Sequence, residues 1–485
     1  MLLLGFAAGL PILLIFSSLS LWLVEAGAER KAVTFFSWAA LGYSFKFVWA
    51  PLVDQMPIPW LTRVLGRRRA YMLLAQLGVI VAIVGMSSTN PASGSASMTV
   101  MALFAVMLGF TSATQDIVID AYRIEIAPSH LQGTLSSAYI AGYRIGMIVA
   151  GAGVLFLAEY WGSTRALYSY TAWQNAYLVM ALAMGVGVIT TLFIREPMLA
   201  PRERKPWIEH FRLLVVFVCA VLVFVAIFWS WGEWISPKKA SPLFGLVIEA
   251  LRMGVALASA FVVGMLLVRN GLANGKQANE TWVNPVVDFF QRYGARTAIL
   301  LLALIGTYRM SDIVLGVISN VFYQEKGFSK SEIAYAVKTF GVIVAIAGGF
   351  LGGLLATRFG VVRMLFWGAV LSALTNLGFL LLAQGGQDVR LLYVVVAADN
   401  LAAGFASAAF VAFLSSLTNV SFTAVQYAIF SSLMTLLPKT FGGYSGGIVD
   451  AMGYENFFLL TTLMGLPALI LVFLVKRVMP LGINS

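Results

Sequence analysis

Long apolar runs recur along the whole chain, separated by short stretches rich in polar residues, glycine or proline. Most runs approach twenty residues, the length that an α-helix needs to cross the hydrocarbon core of a bilayer. Because backbone groups in lipid must satisfy their own hydrogen bonds, the pattern predicts helices throughout. A hydrophobic fraction of 60% with only 11% charged residues excludes a soluble domain. The predicted fold class is an all-α integral membrane protein.

The runs predict fourteen transmembrane helices in three regions. We expect an N-terminal six-helix bundle at 1–200, an inserted helix pair with a cytoplasmic linker at 201–295, and a C-terminal six-helix bundle at 296–485. The predicted helices lie near 2–24, 32–53, 71–90, 97–122, 134–158, 173–195, 212–232, 243–268, 297–323, 331–356, 363–383, 391–417, 424–450 and 457–476.

An internal repeat relates the two bundles. WLVEAG, from Trp22, aligns with FYQEKG, from Phe322, and GFTSA, from Gly109, aligns with GFASA, from Gly404. Nearly equal offsets in corresponding helices indicate two six-helix halves in parallel repeat, the arrangement of major facilitator transporters. The inserted pair lies outside the repeat, so we interpret it as a peripheral packing element.

Two aspartates lie inside an apolar run of the fourth predicted helix. At helical spacing Asp116, Asp120 and Arg123 form one polar stripe. An intramembrane carboxylate costs roughly 2.5 to 3.5 kcal/mol on insertion scales, so it normally faces a water-filled pathway or a partner charge. The repeat places Val411 and Ser415 at the aspartate positions, so symmetry does not require these acids. We predict that they couple proton movement to transport; a buried structural salt bridge is the alternative.

Further polar and aromatic side chains lie at membrane depth. Arg144 is the first expected cationic partner of the two aspartates, although it could equally serve only to neutralise an acid during folding. Lys46 ranks second, because it could also form a local pair. Tyrosines could stack on sugar rings or bond hydroxyls, but each could also be a packing residue. The predicted solute-binding or charge-partner residues are Tyr43, Lys46, Gln115, Tyr139, Tyr143, Arg144, Asp312, Asp399, Asn400 and Gln426.

The net charge of +11 reflects topology, because most basic residues lie in short loops between apolar runs. With the N-terminus inside, eighteen Lys and Arg fall in inside loops and eight in outside loops. The bias predicts two cytoplasmic termini and no nucleic-acid partner. The chain has one cysteine and two histidines, and we expect no metal, cofactor or catalytic group, with the proton as coupling ion.

The loop from Ala50 to Arg69 resembles the major facilitator loop signature. Asp54, Gly66, Arg67 and Arg68 occupy its recognisable positions. In that superfamily the acidic and basic residues of the signature latch the cytoplasmic gate. We predict a gating role for these four residues and for Arg123. A charged inside loop that only sets topology would explain the arginines but not Asp54.

Several motifs together are similar to the AmpG muropeptide permease family. They are GFAAGLP at Gly5, KFVWAPLVD at Lys46, LGRRR at Leu65, SATQDIVIDAYR at Ser112, GYRIGM at Gly142 and SAAFVAFLSSLTNVSFTAVQYAIFSSL at Ser407. The resemblance covers both halves. It implies proton-coupled import of N-acetylglucosaminyl-1,6-anhydro-N-acetylmuramyl peptides across the bacterial inner membrane, for peptidoglycan recycling and, in inducible bacteria, β-lactamase induction.

Two other functions stay open at this stage. The related acetyl-CoA transporters share part of the pattern, so the solute could be another anionic or glycosylated metabolite. A membrane receptor or enzyme that senses cell-wall fragments without moving them is the third hypothesis. The repeat and the loop signature favour a transporter, whose partners would be a small glycopeptide and the lipid bilayer.

Overall fold

The computed structural model describes residues 1–15, 17–27, 41–164, 167–198, 206–234, 242–442 and 444–478. Within these ranges regular structure is helical, with no strand. Thirteen helices in these ranges are long and apolar enough to cross a membrane. The predicted all-α membrane fold is confirmed.

Six helical units form the N-terminal half. They are α1 (Leu2–Ile15 and Ser17–Glu25), α2 (Leu41–Phe45, the 3-10 turn Lys46–Val48 and Ala50–Gln55), α3 (Arg67–Ser87), α4 (Ser95–Glu125), α5 (Gln132–Ile148, the π turn Val149–Gly153 and Val154–Tyr160) and α6 (Tyr170–Ala183 and Gly185–Phe193). The predicted second helix, 32–53, lies partly outside the described residues. Its described part is interrupted by the 3-10 turn.

Eight further units of membrane-spanning length follow in chain order in the described part of the chain. They are α7 (Trp207–Trp234), α8 (Pro242–Arg269), α9 (Ala295–Thr307 and Met310–Glu325), α10 (Lys330–Ile333, the π turn Ala334–Phe340 and Gly341–Phe359), α11 (Val361–Gln384), α12 (Val389–Leu417), α13 (Thr423–Gly442 and 445–452) and α14 (454–463 and Leu466–Val478). Gly453, with φ 77° and ψ 164°, breaks the helix Ser445–Leu463 and separates α13 from α14.

The chain forms two compact units. Met1–Met198 and Tyr293–Ser485 make up the first, and Leu199–Arg292 the second. In the second unit α7 and α8 pack against each other. The Arg252 guanidinium lies 3.8 Å from the ring centre of Phe228, and its Nε donates to the Phe228 carbonyl at 2.7 Å. This cation therefore lies against its neighbouring helix.

The aligned motifs of the repeat make equivalent contacts in the two halves. Trp22 of α1 stacks on Trp173 of α6, with ring centres 5.6 Å apart, and Trp173 Nε1 donates to Glu25 at 2.8 Å. In the second half the ring centres of Phe322 on α9 and Tyr454 on α14 are 4.9 Å apart. The Tyr454 hydroxyl donates to the carboxylate of Glu325 at 2.7 Å. The first and last helices of each half are thus joined by an aromatic pair and a glutamate.

The two halves pack against each other through a few helices. α5 contacts α10 and α12, and α13 contacts α2 and α4. α4 and α12 end, and α5 and α13 begin, at the end of the bundle that carries the loop before Gly66. We call this the signature end. It is where the closest contacts between the halves described below occur.

Candidate functional site

The predicted polar stripe lies buried on α4. Asp116 is 7% exposed, Asp120 5% and Arg123 0%. Their helical spacing places them on one face, and that face points into the protein. A charged group inside the membrane needs a partner of opposite charge, so the surroundings of these residues decide what they can do.

Lys46, in the 3-10 turn of α2, is shared by both aspartates. Its Nζ lies 3.7 Å from Asp120 Oδ2 and 4.0 Å from Asp116 Oδ2. Asp120 has a second cation, because Arg123 Nη2 lies 3.5 Å from its Oδ1. The buried Oδ1 of Asp116 has no hydrogen-bond partner in the described part of the chain. The aspartates are unequal: two cations hold Asp120, and one distant cation holds Asp116. We call these four residues the acid site.

Three of the predicted solute-binding residues, all tyrosines, surround Asp116. Tyr43, Tyr139 and Tyr143 all interact electrostatically with its carboxylate. Tyr43 donates its hydroxyl to Ser112 Oγ at 2.7 Å, and the rings of Tyr139 and Tyr143 are 6.0 Å apart. The acid site therefore has an aromatic wall from α2 and α5 whose hydroxyls are suited to a hydroxylated solute.

Arg123 joins the two halves at the signature end. Its Nη1 donates to Ser136 Oγ of α5 at 3.0 Å and to Ser415 Oγ of α12 at 2.7 Å. The guanidinium also lies 5.2 Å from the ring centre of Tyr427 on α13. Ser415 is the repeat counterpart of Asp120, so a neutral hydroxyl of the second half accepts from the cation that the aspartate holds.

α5 and α10 touch through their backbones beside Arg123. Ser137 donates its hydroxyl to the Gly349 carbonyl at 3.0 Å. A Cβ on Gly133 would come within 2.6 Å of the Gly353 carbonyl oxygen, so only glycine fits there. This packing closes the passage between the two helices at the signature end.

The loop signature forms a buried ion network within the N-terminal half. Arg68 Nη2 donates to Asp54 Oδ1 at 2.8 Å, and Arg68 Nε donates to Glu125 Oε2 at 2.8 Å. Arg67 Nη2 lies 3.9 Å from Asp54 Oδ1. The side chains of Asp54 and Glu125 are 0% exposed. The network ties the ends of α2, α3 and α4 together.

Gly66 is required by its conformation and by its neighbour. It has φ 89° and precedes α3, where a side chain would be strained. A Cβ there would also come within 2.8 Å of Glu196 Oε2. The Glu196 carboxylate accepts from the backbone N–H of Arg68 at 2.7 Å and of Arg69 at 3.0 Å. The chain after α6 thus caps the start of α3.

A second charged group lies deeper between the halves. Arg309 Nε lies 3.2 Å from Asp312 Oδ2, and its Nη1 donates to Ser407 of α12. Asp399 of α12 interacts with Asp312, Arg309 and Arg144. Arg144 of α5 is therefore near charges of the second half, and Lys46 is the counter-ion of the two aspartates. We call Arg144, Arg309, Asp312 and Asp399 the arginine cluster.

Three other predicted solute-binding residues have protein partners. Gln115 Nε2 donates to the Ala7 carbonyl of α1 at 2.8 Å. Asn400 Nδ2 donates to the Val396 carbonyl at 2.9 Å, and Gln426 Oε1 accepts from the backbone N–H of Asn419 at 2.8 Å. These bonds hold helices and a turn in place, so their side chains are less available to a solute than those of the two charged groups.

Sequence reasoning missed Glu125, Glu196 and the role of Ser415. Glu125 lies two residues after Arg123, off the stripe, and Glu196 follows α6 with no repeat signal. Both act on Arg68 across more than fifty residues of sequence. Within the described ranges no three His, Cys, Asp or Glu side chains are placed to hold a metal ion.

Comparison with known proteins places this architecture in a known class. A family model described as the Major Facilitator Superfamily matches residues 1–308 and 298–482. The proton:xylose symporter XylE bound to 6-bromo-6-deoxy-D-glucose shares the fold, with a TM-score of 0.63 at 13% identity over 100% of this chain and 95% of that chain. The chain is therefore a multi-pass membrane transporter of the major facilitator superfamily, as predicted, and not an enzyme.

Similar proteins of known family show which family of the superfamily the chain belongs to. AmpG 4 of Rickettsia conorii is 31% identical over 476 residues, 98% of this chain and 95% of the relative. The anhydromuropeptide permease of Escherichia coli K12 is 28% identical over 478 residues, 98% of this chain and 79% of the relative. Within the superfamily, the chain belongs to the AmpG permease family, which confirms the resemblance drawn from its motifs.

Proposed function

We propose that this permease imports anhydromuropeptides together with protons across the bacterial inner membrane, for peptidoglycan recycling and β-lactamase induction. The similarity to an anhydromuropeptide permease over almost the whole chain supports the solute. The aromatic wall beside a buried acid supports a hydroxylated solute and a titratable coupling group at one site. The solute and the proton would then share one alternating-access pathway.

The unequal surroundings of the two aspartates support Asp116 as the proton carrier. Asp120 is held by Lys46 and by Arg123, so its charge is compensated from two sides. Asp116 depends on Lys46 alone at 4.0 Å, with Oδ1 unbonded among the described groups. Two carboxylates that share one cation in a buried site cannot both ionise cheaply. A proton on Asp116 would leave Lys46 to Asp120 and remove this conflict.

We further propose that the signature end faces the cytoplasm, with both termini on that side. The positive-inside bias supports this orientation. The contacts of Arg123 with α5 and α12 then make up a cytoplasmic gate, closed in this structure, and the network of Asp54, Arg67 and Arg68 braces it. Opening would require Arg123 to leave Ser415 while it keeps Asp120 in its own half.

Uptake of labelled anhydromuropeptide into proteoliposomes, with and without an imposed proton gradient, tests the proposal. For one proton per solute, a gradient of one pH unit supports about tenfold accumulation. Asp450→Asn, an exposed aspartate-to-asparagine change on α13, is the control for the same change at Asp116. It should accumulate solute like wild type. Equal uptake with and without the proton gradient would reject proton coupling. Transport of acetyl-CoA but not of muropeptide would reject the solute, and no counterflow of any solute would favour a sensor.

A further inference from the structure

We propose that Arg144 and Arg309, one from each half, form a binding site for a carboxylate group of the transported solute. The inference rests on the proposed function, because it names the chemical group that the pathway recognises. The proposed site is the arginine cluster. The arginine cluster would bind the solute, whereas the acid site would carry the proton.

The packing of α5 directs Arg144 toward the second half. Ser137 and Ile140 lie seven and four residues before Arg144, so the three share one helix face. Ser137 donates to the Gly349 carbonyl of α10, and Ile140 Cγ2 would lie 3.6 Å from a Cβ on Gly349. Arg144 continues this face one turn further from the signature end.

A break in α9 places Arg309 opposite. The helix Ala295–Thr307 ends just before it and the helix Met310–Glu325 begins just after it. Arg309 itself has φ −98° and ψ 8°, outside the regular helix. Its guanidinium contacts Asp312 on one side and Ser407 of α12 on the other. These contacts fix the guanidinium and leave its remaining donors for another acceptor.

The two arginines and two aspartates of the arginine cluster balance in number, but they are not paired one to one. Arg309 has its own carboxylate, Asp312, at 3.2 Å. Arg144 forms no hydrogen bond or ion pair with any residue of the described ranges, and Arg309 is among the charges that act on it. Asp399 is the acidic group that acts on both arginines, and it also faces Asp312. One further negative charge between the guanidiniums would satisfy Arg144 and offset the repulsion between the two cations.

A carboxylate fits this arrangement in shape and in charge. Guanidinium groups present parallel N–H donors that match the two oxygens of a carboxylate. Arg144 lies twelve residues after Gln132, about 18 Å into the bundle, whereas Asp116, the deeper aspartate of the acid site, lies nine residues before Glu125, about 14 Å from the same end. The carboxylate would therefore bind deeper than the acid site, where it bridges the two halves.

Binding of an acid and its neutral ester tests this assignment. The probes are N-acetylglucosaminyl-1,6-anhydro-N-acetylmuramyl-L-alanine, whose one free carboxylate is that of the alanine because the lactyl carboxyl is in the amide bond, and its methyl ester. Calorimetry on the purified full-length protein gives the ratio of their dissociation constants. We expect wild type to favour the acid by about 10- to 100-fold, the range of charge-assisted hydrogen bonds. Arg144→Gln should bind both probes alike, with ester affinity unchanged, and Arg144→Lys should keep part of the preference.

Arg390→Gln, an exposed arginine at the start of α12, is the matched control and should keep the wild-type ratio. An Arg144→Gln protein that keeps the wild-type preference for the acid would overturn the carboxylate site. Equal binding of acid and ester to a wild-type protein that shows gradient-driven muropeptide uptake would overturn the site and leave the proposed function standing. Absence of both binding and uptake in wild type would overturn both.

Discussion

The two halves of this transporter share their packing but not their charges. Glu25 with Trp173, and Glu325 with Tyr454, make the same bond between the first and last helices of each half. The acids at the signature end have no such counterparts. The repeat puts Val411 and Ser415 where α4 has its aspartates. Packing of six helices thus needs the shared residues, whereas the unshared acids are available for coupling and gating.

The loops before α3 and α11 show the same contrast. Gly66 and Gly360 each precede a helix, and both have a positive φ, 89° and 90°. An arginine follows each glycine three residues later, Arg69 after the first and Arg363 after the second. Only the first loop supplies a buried arginine, Arg68, with two buried carboxylate partners. The shared glycines set the turn, and the unshared ion network stiffens one half.

The largest expected effect comes from breaking this network. Arg68→Met removes the cation that pairs with the buried carboxylates of Asp54 and Glu125. The free energy of unfolding should fall by about 3 to 5 kcal/mol, because the substitution leaves buried charges without their partner. Arg363→Met, at an exposed position in the first turn of α11, should change the free energy of unfolding by less than about 0.5 kcal/mol. Equilibrium unfolding in mixed detergent micelles measures both. Equal losses in the two variants would remove the contrast between the loops.

Arg123 should control the balance between closed and open states. Its hydrogen bonds to Ser136 and Ser415 are charge-assisted, so Arg123→Gln should favour opening by about 1.5 to 3 kcal/mol, and Ser415→Ala by less. Spin labels at His130→Cys and Arg358→Cys, in a Cys219→Ser background, report the distance across the signature end. We expect a second, longer distance in Arg123→Gln. A distribution identical to wild type would show that this arginine is no latch.

Gly66 separates backbone strain from the effect of Glu196. Gly294, at the start of the second half, has φ 74° and no neighbouring atom within 4 Å of the point that a Cβ would occupy, so Gly294→Ala should cost about 1 to 3 kcal/mol through strain alone. Gly66→Ala should cost about 1 to 2 kcal/mol more, because it displaces the carboxylate that caps α3. Thermal unfolding compares the two, and equal losses would rule out a contribution from Glu196.

The smallest effects are expected where the halves agree. Glu25→Gln weakens the bonds from Trp173 and Ser163, and Glu325→Gln weakens the bond from Tyr454. Each substitution should cost about 1 kcal/mol or less, because these bonds lie near the bundle surface. Unfolding in micelles should show similar losses for the pair. A loss several times larger in one half would mean that the repeat is less symmetric in energy than in geometry.

Several features were predictable because they depend on local sequence. Apolar run lengths predicted the membrane helices, and helical periodicity placed Asp116, Asp120 and Arg123 on one face. The repeat predicted which acids lack counterparts. Each of these inferences needs only spacing along one helix, or the comparison of two segments.

Other features could not be predicted because they depend on how helices meet. The sequence offers Lys46 as a partner of the aspartates, but it does not show the 3-10 turn from which this lysine reaches both of them. Nor does it show the break in α9 that sets the direction of Arg309. Glu196 reaches α3 from the end of α6. Helical spacing does not predict these contacts. Some of them join residues that are 70 to 130 positions apart in the sequence, and others depend on irregular turns.

Asp116 is the proposed proton carrier, and the repeat places Val411 at its position in the second half. Comparing counterflow with gradient-driven accumulation in Asp116→Asn proteoliposomes tests this most directly, because exchange needs the pathway but not the proton. We predict that Asp116→Asn keeps labelled anhydromuropeptide counterflow within a few-fold of wild type and loses accumulation under a gradient of one pH unit. Accumulation at the wild-type level in this variant would contradict the central claim.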